Sequence, residues 1–558
     1  MLIRKKLPRA HGLNEPIRHR DNHKPPVTRR DFIAAGMISG PATIAATGLL
    51  GLLANPRFAH ATGLLSDKLV DIREACSTSP SGASGTRKIP FICFDLAGGA
   101  NLTGSEVLIG QKGGQLDFLS TAGYGKLGLP GDMTPNSPNA ASPTNNFINT
   151  AFGLAFHSDA AIVRGMLERT SPTTQAGTNG AAIAARSEND TGNNPHNPMA
   201  GIAHAGASGT LLQLVGSQSS DSGGNSMSPL AMLALPDVER PTKVSQASDV
   251  TGLVDTGDLA VLLPQKDAVS VLESMATLSG GKLDPVNVDA NSRLGRIDMG
   301  TRNGQIQSTV RCAYVKTADL ADRFGDPASL NPDKDPDVVD QSGARGAGIF
   351  GQAEYQADGE FRKTAAVMKM VVDGYAGAGC ITLGGYDYHD STRASGEMRN
   401  FRAGRCIGAV LEYAARKATP VMIYVFSDGS LSSSSMVDNT VNGRGKLAWQ
   451  GDNQATASSF FLVFNPGGRP VVNVADPAGG LGKQIGYFRA DGSVETASHP
   501  GANAVNLLVE TVILNWMALH GQQGDFPMSA FFPGNGLGGP ALRDSLTAFA
   551  PIAPSGFI

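Results

Sequence analysis

The sequence predicts an α/β fold in which helices cover both faces of a mostly parallel central sheet. Three short apolar runs predict buried strands: Ile89–Phe94, Cys380–Leu383 and Pro420–Phe426. Between the last two, residues 398–417 carry apolar side chains on one half of a helical circumference. The resulting strand–helix–strand unit predicts a right-handed crossover between two parallel strands. Glycine (69) and proline (33) are abundant among the 558 residues, which predicts long Gly/Pro-rich loop insertions.

Residues 1–61 have the pattern of a twin-arginine signal peptide. Arg29-Arg30 are followed by Phe32 and by an uncharged run, residues 33–54, rich in alanine, glycine and leucine. Ala59-His60-Ala61 has the small-x-small form of a signal-peptidase site. A single membrane anchor is the alternative, because the run is just long enough to span a bilayer. We expect a periplasmic or secreted protein that uses the twin-arginine export machinery and contacts the membrane only through this segment.

The remaining composition bounds the domain count and the class of partner. Residues 62–87 contain a Ser/Gly-rich tract and predict a linker, and residues 88–558 predict one large α/β domain. A net charge of -3 gives no electrostatic reason to expect a nucleic-acid partner. The five cysteines form no CxxC pair and no zinc-type spacing. Cys93 and Cys380 lie in apolar runs, so we expect buried thiols there.

The first predicted strand delivers an acidic side chain to its carboxyl end. Asp95 follows Ile89–Phe94 directly and precedes the Gly98-Gly99 turn. A carboxylate in this position can be a metal ligand, or it can cap the turn. The local sequence leaves these two roles equally open.

A hydroxyl stands at the predicted start of the next helix. Residues 160–165 predict a second short strand, and the alanine-rich stretch after Thr178 predicts a helix. Thr178 can cap that helix, or it can act as a nucleophile or anion ligand in the positive field of the helix N-terminus. The polar loop that follows contains His196, which we expect to be solvated.

The strand–helix–strand unit carries the densest group of candidate ligands. Asp387 and His389 follow Cys380–Leu383 after two glycines, and Asp428 follows Pro420–Phe426. The carboxyl ends of parallel strands meet at one edge of a sheet, where ligands bind. The candidate metal ligands are therefore Asp95, Asp387, His389, Asp428 and Asp452, the last shortly before a predicted strand at Ser458–Phe464.

These residue types suit a divalent metal, namely zinc, manganese, magnesium or calcium. The alternative is that each carboxylate caps a turn at the end of its strand. Two divalent ions could clamp the attacking and leaving oxygens of a phosphoryl or sulfuryl transfer. Thr178 would then be the nucleophile, activated by metal coordination.

The surroundings of this group predict a loop and a basic helix face. Residues 430–445, which begin with a serine-rich stretch, predict a loop. On the predicted helix, Arg399, Arg402 and Arg405 lie opposite the apolar face. These arginines can hold an anionic ligand, or they can form a solvated surface.

Several motifs recur here in one order: the twin-arginine signal, Asp95-x-x-Gly98-Gly99, the Ile162–Gly165 strand, Gly385-x-Asp387-x-His389 and Phe426-Ser427-x-Gly429. In this order they resemble a bacterial exported family of uncharacterised function, a distant branch of the alkaline phosphatase/sulfatase superfamily. The resemblance covers residues 88–540. It implies the fold of that superfamily, a metal site, and a small anionic ester or an envelope component as ligand.

The sequence also departs from the family pattern. The family tends to carry Ser-His where Thr178-Asn179 stand, Asp-His where Asp452-Asn453 stand, and Glu where Asp428 stands. Two histidine ligands are thus missing, which weakens a zinc site, whereas oxygen ligands could still hold calcium or magnesium. No Cys-x-Pro-x-Arg is present, so the usual sulfatase nucleophile is absent.

Two functional hypotheses follow from the motifs and the departures. In the first, the chain is an exported metal-dependent hydrolase of phosphate or sulfate esters with an incomplete ligand set. In the second, it is a catalytically degenerate periplasmic or envelope protein that keeps only the fold and serves in binding or assembly.

Overall fold

The structure is a computed structural model that describes residues 87–142, 144–187, 195–255, 263–283, 315, 317–322, 324, 326–341, 348–389, 391–473, 481–526 and 536–558. The predicted signal peptide and nearly all of the predicted linker lie outside these residues. Within the described ranges, no helix is both long enough and apolar enough to cross a membrane.

Eight strands form one central sheet, in the order β14-β4-β13-β10-β1-β9-β5-β6. Every neighbouring pair is parallel except the two pairs that involve β13. The predicted class, α/β with a mostly parallel sheet, is therefore confirmed. The strands are β1 (Phe91–Gly99), β2 (Ile148–Asn149), β3 (Phe156–His157), β4 (Thr178–Ala184), β5 (Leu212–Gly216), β6 (Thr242–Lys243), β7 (Val339–Asp340), β8 (Phe350–Gly351), β9 (Ala376–Leu383), β10 (Val421–Gly429), β11 (Leu431–Asp438), β12 (Lys446–Asp452), β13 (Ser458–Phe464) and β14 (Gln484–Ile485).

Helices cover both faces of this sheet. The α-helices are α1 (Thr121–Lys126), α2 (Ala161–Arg169), α3 (Pro172–Ala176), α4 (Met199–His204), α5 (Leu230–Leu233), α6 (Ala247–Gly252), α7 (Gln265–Leu283), α8 (Gln352–Ala357), α9 (Gly359–Val372), α10 (Ala394–Arg416), α11 (Val505–Leu519) and α12 (Pro540–Ser545). Side chains of β1 alternate between the faces, as a pleated strand requires. Ile92, Phe94 and Leu96 belong to the apolar layer that contains α9 and α10. Phe91 and Cys93 belong to the opposite layer, which contains α4 and α11.

The strand–helix–strand unit of the sequence is β9-α10-β10. Both strands pair in parallel with β1, which lies between them. The crossover from β9 to β10 therefore passes over β1. The sequences of β9 and β10 do not show that a third strand lies between them. Cys93 and Cys380 are buried free thiols, as predicted, and they are register partners on β1 and β9.

Two local predictions were wrong because tertiary packing outweighs local propensity. Residues 160–165 do not form a strand, since α2 begins at Ala161 and packs on α10 through close glycine contacts: a Cβ at Gly404 would lie 2.1 Å from the carbonyl oxygen of Ile162. The alanine-rich stretch after Thr178 is strand β4, whose small residues fit against β13. A Cβ at Gly180, for example, would lie 2.7 Å from the carbonyl oxygen of Phe461.

The predicted loop at residues 430–445 is largely a hairpin. Strand β11 turns back into β12, and the two pair antiparallel with irregular register. The serines of β11 are polar, so a search for apolar runs does not detect this strand. The hairpin stands outside the central sheet, and its second strand ends at Asp452.

Candidate metal site at the carboxyl edge of the sheet

Three of the five predicted metal ligands lie together. In the described part of the chain, Asp387, His389 and Asp452 form the one group whose ligand atoms all lie within 4.8 Å of one another. Nε2 of His389 lies 2.7 Å from Oδ1 of Asp387 and 3.9 Å from Oδ1 of Asp452. The three side chains are 40 to 55 % exposed, so the group faces solvent at the carboxyl edge.

Alternation after β9 presents Asp387 and His389 to solvent. Their neighbours Tyr386 and Tyr388 are buried, and the backbone N–H of Tyr386 donates to the carbonyl of Ala97 at 3.0 Å. The backbone N–H of Tyr388 donates to the carbonyl of Tyr386 at 3.0 Å, so the two buried tyrosines close a tight turn around Asp387, and Asp387 and His389 remain exposed. The two tyrosines thus anchor the segment that carries two of the ligands.

Two glycines shape the backbone around Asp387. Gly98 has φ +109°, and a Cβ there would lie 2.6 Å from the backbone nitrogen of Asp387. Gly385 has φ +83° and ends the straight part of the strand. Both conformations favour glycine over any residue with a Cβ, and the close approach at Gly98 brings the ends of β1 and β9 together.

The hairpin carries the third ligand back to the sheet edge. Asp452 pairs with Leu431 in the β11–β12 register, close to the point where β10 ends. The backbone N–H of Asn453 donates to the carbonyl of Ser430 at 2.8 Å and fixes this closure. The Asn453 side chain accepts from the N–H of Ala455 and so caps the following turn.

Asp428 lies outside the exposed group. Its side chain is buried, and its Oδ1 accepts from the backbone N–H of Gly98 at 3.0 Å. Its carbonyl accepts from the Ser187 hydroxyl. The alternative that the sequence left open, a carboxylate that holds a turn, describes these contacts of Asp428.

Asp95 also lies outside the group, buried on the β1 face that packs toward α4. Its Oδ2 accepts from the backbone N–H groups of Asn225 and Ser226 at 2.7 and 2.8 Å, while its Oδ1 has no hydrogen-bond partner among the described residues. Burial raises the pKa of this carboxyl to about 6, although the two N–H donors oppose the shift. Asp95 therefore joins β1 to the loop before α5.

Thr178 is placed at the opposite edge of the sheet, so the predicted helix-terminal position is wrong. It is the first residue of β4 and pairs with Phe464, which in turn pairs with Val421 at the start of β10. Strand geometry puts it on the order of 20 Å from the level of Asp428. Its hydroxyl is buried and donates to the carbonyl of Thr174 at 2.7 Å.

His196 was predicted to be solvated, and the structure buries it. Its ring stacks on Phe426 with centroids 6.2 Å apart, and neither ring nitrogen has a hydrogen-bond partner among the described residues. Its backbone N–H donates to the hydroxyl of Ser226, whose own N–H binds Asp95. Burial lowers the pKa of His196 to about 4. No spacing in the sequence marks this residue, because a polar loop surrounds it.

Comparison of the chain with models of known protein families, with curated proteins and with solved structures finds no match. The fold and the site nevertheless define a class. The chain is an α/β protein with a mostly parallel sheet, and an exposed carboxylate–imidazole group lies at the carboxyl edge of that sheet.

Proposed function

We propose that the chain is an exported, metal-dependent hydrolase of phosphate or sulfate esters. One observation carries the proposal: Asp387, His389 and Asp452, from two separate elements, converge on one exposed point at the carboxyl edge. That edge is where open parallel sheets bind their ligands. Export is part of the proposal because of the signal-like pattern in residues 1–61.

The donor set fits a divalent ion. Ligand atoms around such an ion lie about 3 to 4.5 Å apart, because metal–ligand distances are about 2.0 to 2.4 Å. Of the two separations at His389, 3.9 Å lies within this range, whereas 2.7 Å is a hydrogen-bond distance that must widen slightly for both atoms to bind one ion. One imidazole with two carboxylates is a set that zinc and manganese accept, and magnesium or calcium can use the carboxylates.

Three protein ligands on an exposed edge leave coordination positions open, as in catalytic rather than structural metal sites. A bound divalent ion would supply polarisation of the ester oxygen. The chain's own residues orient the ligands, because the buried Tyr386 and Tyr388 anchor the segment that carries Asp387 and His389. Because Thr178 lies at the far edge, the nucleophile in this proposal is water.

A second candidate function is binding without catalysis. Asp95 and Asp428 were expected to complete the ligand set, and each uses a carboxylate oxygen to accept backbone N–H groups instead. A site with three ligands and no side-chain nucleophile can hold a metal-bridged envelope component without turning it over. This candidate keeps the same metal ligands and differs only in turnover.

The test measures metal binding and ester hydrolysis on the full chain. Manganese and zinc are titrated by calorimetry, and aryl phosphate and aryl sulfate are offered to the metal-loaded protein. We expect Asp387→Asn to weaken metal binding at least about 100-fold, since even outer-shell partners of metal ligands contribute about 10- to 100-fold. Asp221→Asn is the matched control, because Asp221 is 72 % exposed and lies outside the site.

Each result separates the candidates. Metal binding with hydrolysis, both lost in Asp387→Asn and kept in Asp221→Asn, supports the hydrolase. Metal binding without hydrolysis of either ester overturns the hydrolase and favours the binding protein. Absence of metal binding in the unsubstituted chain overturns both.

A further inference from the structure

One arginine next to the metal-ligand group differs from the others on its helix. Four arginines of α10 and its N-cap have carboxylates within 4.0 Å: Arg393 with Glu397, Arg402 with Asp358, Arg405 with Glu168, and Arg416 with Glu412. The guanidinium of Arg399 makes no ion pair and no hydrogen bond within the described ranges. It is half-buried, so this cation is partly removed from water without a counter-charge.

The guanidinium of Arg399 lies against the turn that leads into the site. An ideal Cβ at Gly385 would be 1.8 Å from its Nη1, so glycine at this position makes room for the cation. Gly385 precedes Asp387 by two residues, and consecutive Cα atoms are about 3.8 Å apart, which puts the guanidinium within roughly 11 Å of the Asp387 Cα.

A buried hydroxyl holds this arrangement in place. The side chain of Tyr386 donates to the carbonyl of Arg399 at 2.9 Å, which ties the first half of α10 to the turn after β9. Tyr386, which stands between Gly385 and Asp387 in the sequence, is itself buried. The same residue therefore positions a metal ligand on one side and the free cation on the other.

We infer that Arg399 is the anion-binding residue of the metal site and that the ligand is a tetrahedral oxyanion, a phosphate or sulfate group. One ligand oxygen occupies an open metal position, and another accepts from the Arg399 guanidinium. This inference rests on the proposed metal site. The planar guanidinium matches two oxyanion oxygens at once, and it adds a positive charge next to a site whose two carboxylates already offset the charge of a divalent ion.

The alternative from the sequence, a solvated arginine face, does not describe this helix. Arg402 and Arg405 reach carboxylates of other elements and so serve in packing α10 against its neighbours. Arg399 points to the ligand edge and has no such carboxylate. Its Nη1 lies beside Gly385, two residues before the metal ligand Asp387.

The experiment uses the full chain loaded with manganese. Phenylphosphonate, which cannot be hydrolysed as an ester, is titrated by calorimetry, with benzenesulfonate and benzoate as separate arms. We expect Arg399→Gln to bind phenylphosphonate about 10- to 100-fold more weakly, as charge-assisted hydrogen bonds imply. Arg402→Gln, one turn further on the same helix, is the matched control and should bind as the unsubstituted chain does.

A second variant tests the geometry without removing the cation. Arg399→Lys keeps the positive charge and should bind phenylphosphonate more tightly than Arg399→Gln does. It also tests the role of the charge if Arg399→Gln folds poorly.

The outcomes distinguish this inference from the proposed function. Equal phenylphosphonate affinity in Arg399→Gln and the unsubstituted chain overturns the role of Arg399, as does preference for benzoate over both tetrahedral anions. Manganese binding without phosphonate binding in the unsubstituted chain also overturns it and leaves the metal site intact. Failure to bind manganese overturns the proposed function and this inference together.

Discussion

The carboxyl edge of the sheet holds two groups built from the same residue types, one exposed and one buried. Asp387, His389 and Asp452 lie in solvent contact, with their ligand atoms directed at one another. Asp95 and His196 lie beneath the edge, on the β1 face toward α4, and share Ser226 as a neighbour. Both groups contain a carboxylate and an imidazole, and one group is exposed whereas the other is buried.

The difference in burial gives the two groups different roles. A buried carboxylate must find donors, and Asp95 takes two backbone N–H groups, which makes it part of the scaffold. An exposed carboxylate such as Asp387 is solvated by water and can exchange that water for an ion. A strand-end aspartate therefore indicates the edge of the sheet, while its exposure decides between structure and ligand binding.

The largest contrast between the groups concerns folding stability. Asp95→Ala removes the acceptor for two backbone N–H groups and should lower the free energy of unfolding by roughly 2 to 6 kcal/mol, at about 1 to 3 kcal/mol for each unsatisfied donor. Asp387→Ala should change it by less than about 0.5 kcal/mol. Urea denaturation of both variants measures the difference. Equal effects from the two substitutions would contradict the division between scaffold and ligand site.

The pH dependence of stability sharpens the same contrast. The pKa of Asp95 is raised by burial from 3.8 to about 6, so between these values the folded chain binds more protons than the unfolded chain. The free energy of unfolding therefore falls as pH rises through this window, by roughly 3 kcal/mol at about 1.36 kcal/mol per pKa unit.

The control for this pH effect is Asp95→Asn, which cannot titrate and keeps an oxygen acceptor. The measurement is the stability of the unsubstituted chain minus that of Asp95→Asn, at several pH values from 4 to 7.5. The difference should decline with rising pH and level off above about 6. A difference that does not vary with pH would show that Asp95 carries no such shift.

Replacement of the two histidines by phenylalanine should affect metal binding differently, and replacement by alanine shows what each ring contributes to stability. His196→Phe keeps the stacking on Phe426 and removes two buried nitrogens without partners, so stability should hold or rise by about 1 kcal/mol. His196→Ala should lose about 2 to 4 kcal/mol through the cavity. His389→Phe should leave stability nearly unchanged and weaken manganese binding. Destabilisation by His196→Phe as large as by His196→Ala would indicate that the ring nitrogens have partners.

The sequence predicted those parts of the fold that local patterns encode. The apolar runs located β1, β9 and β10, and the helical spacing located α10 within a few residues. Asp387, His389 and Asp452 were predicted as ligands from their places near strand ends, and they do meet. Parallel strands share an edge, so position along the chain carried this information for Asp387 and His389, whereas Asp452 reaches them through the β11–β12 hairpin, which the sequence did not predict.

The remaining features depend on contacts between distant segments. Alanine-rich β4 forms because β13 and β14 flank it, and no local pattern records those neighbours. His196 is buried by packing against Phe426, and Asp95 receives donors from a loop about 130 residues away in the sequence. Arg402 and Arg405 have carboxylate partners, whereas Arg399 has none among the described residues, and helical spacing cannot show this difference.

The smallest predicted effect concerns Thr178, at the edge opposite both groups. Thr178→Val keeps the side-chain volume and a β-branched residue in β4, and it removes one buried hydrogen bond to the carbonyl of Thr174. The free energy of unfolding should fall by about 1 kcal/mol, while manganese affinity and any ester hydrolysis stay unchanged. Urea denaturation and the hydrolysis rate of the metal-loaded variant measure both quantities. A large loss of hydrolysis without loss of metal would restore Thr178 as nucleophile. It would require Thr178 to lie at the carboxyl edge of the sheet, next to the metal ligands.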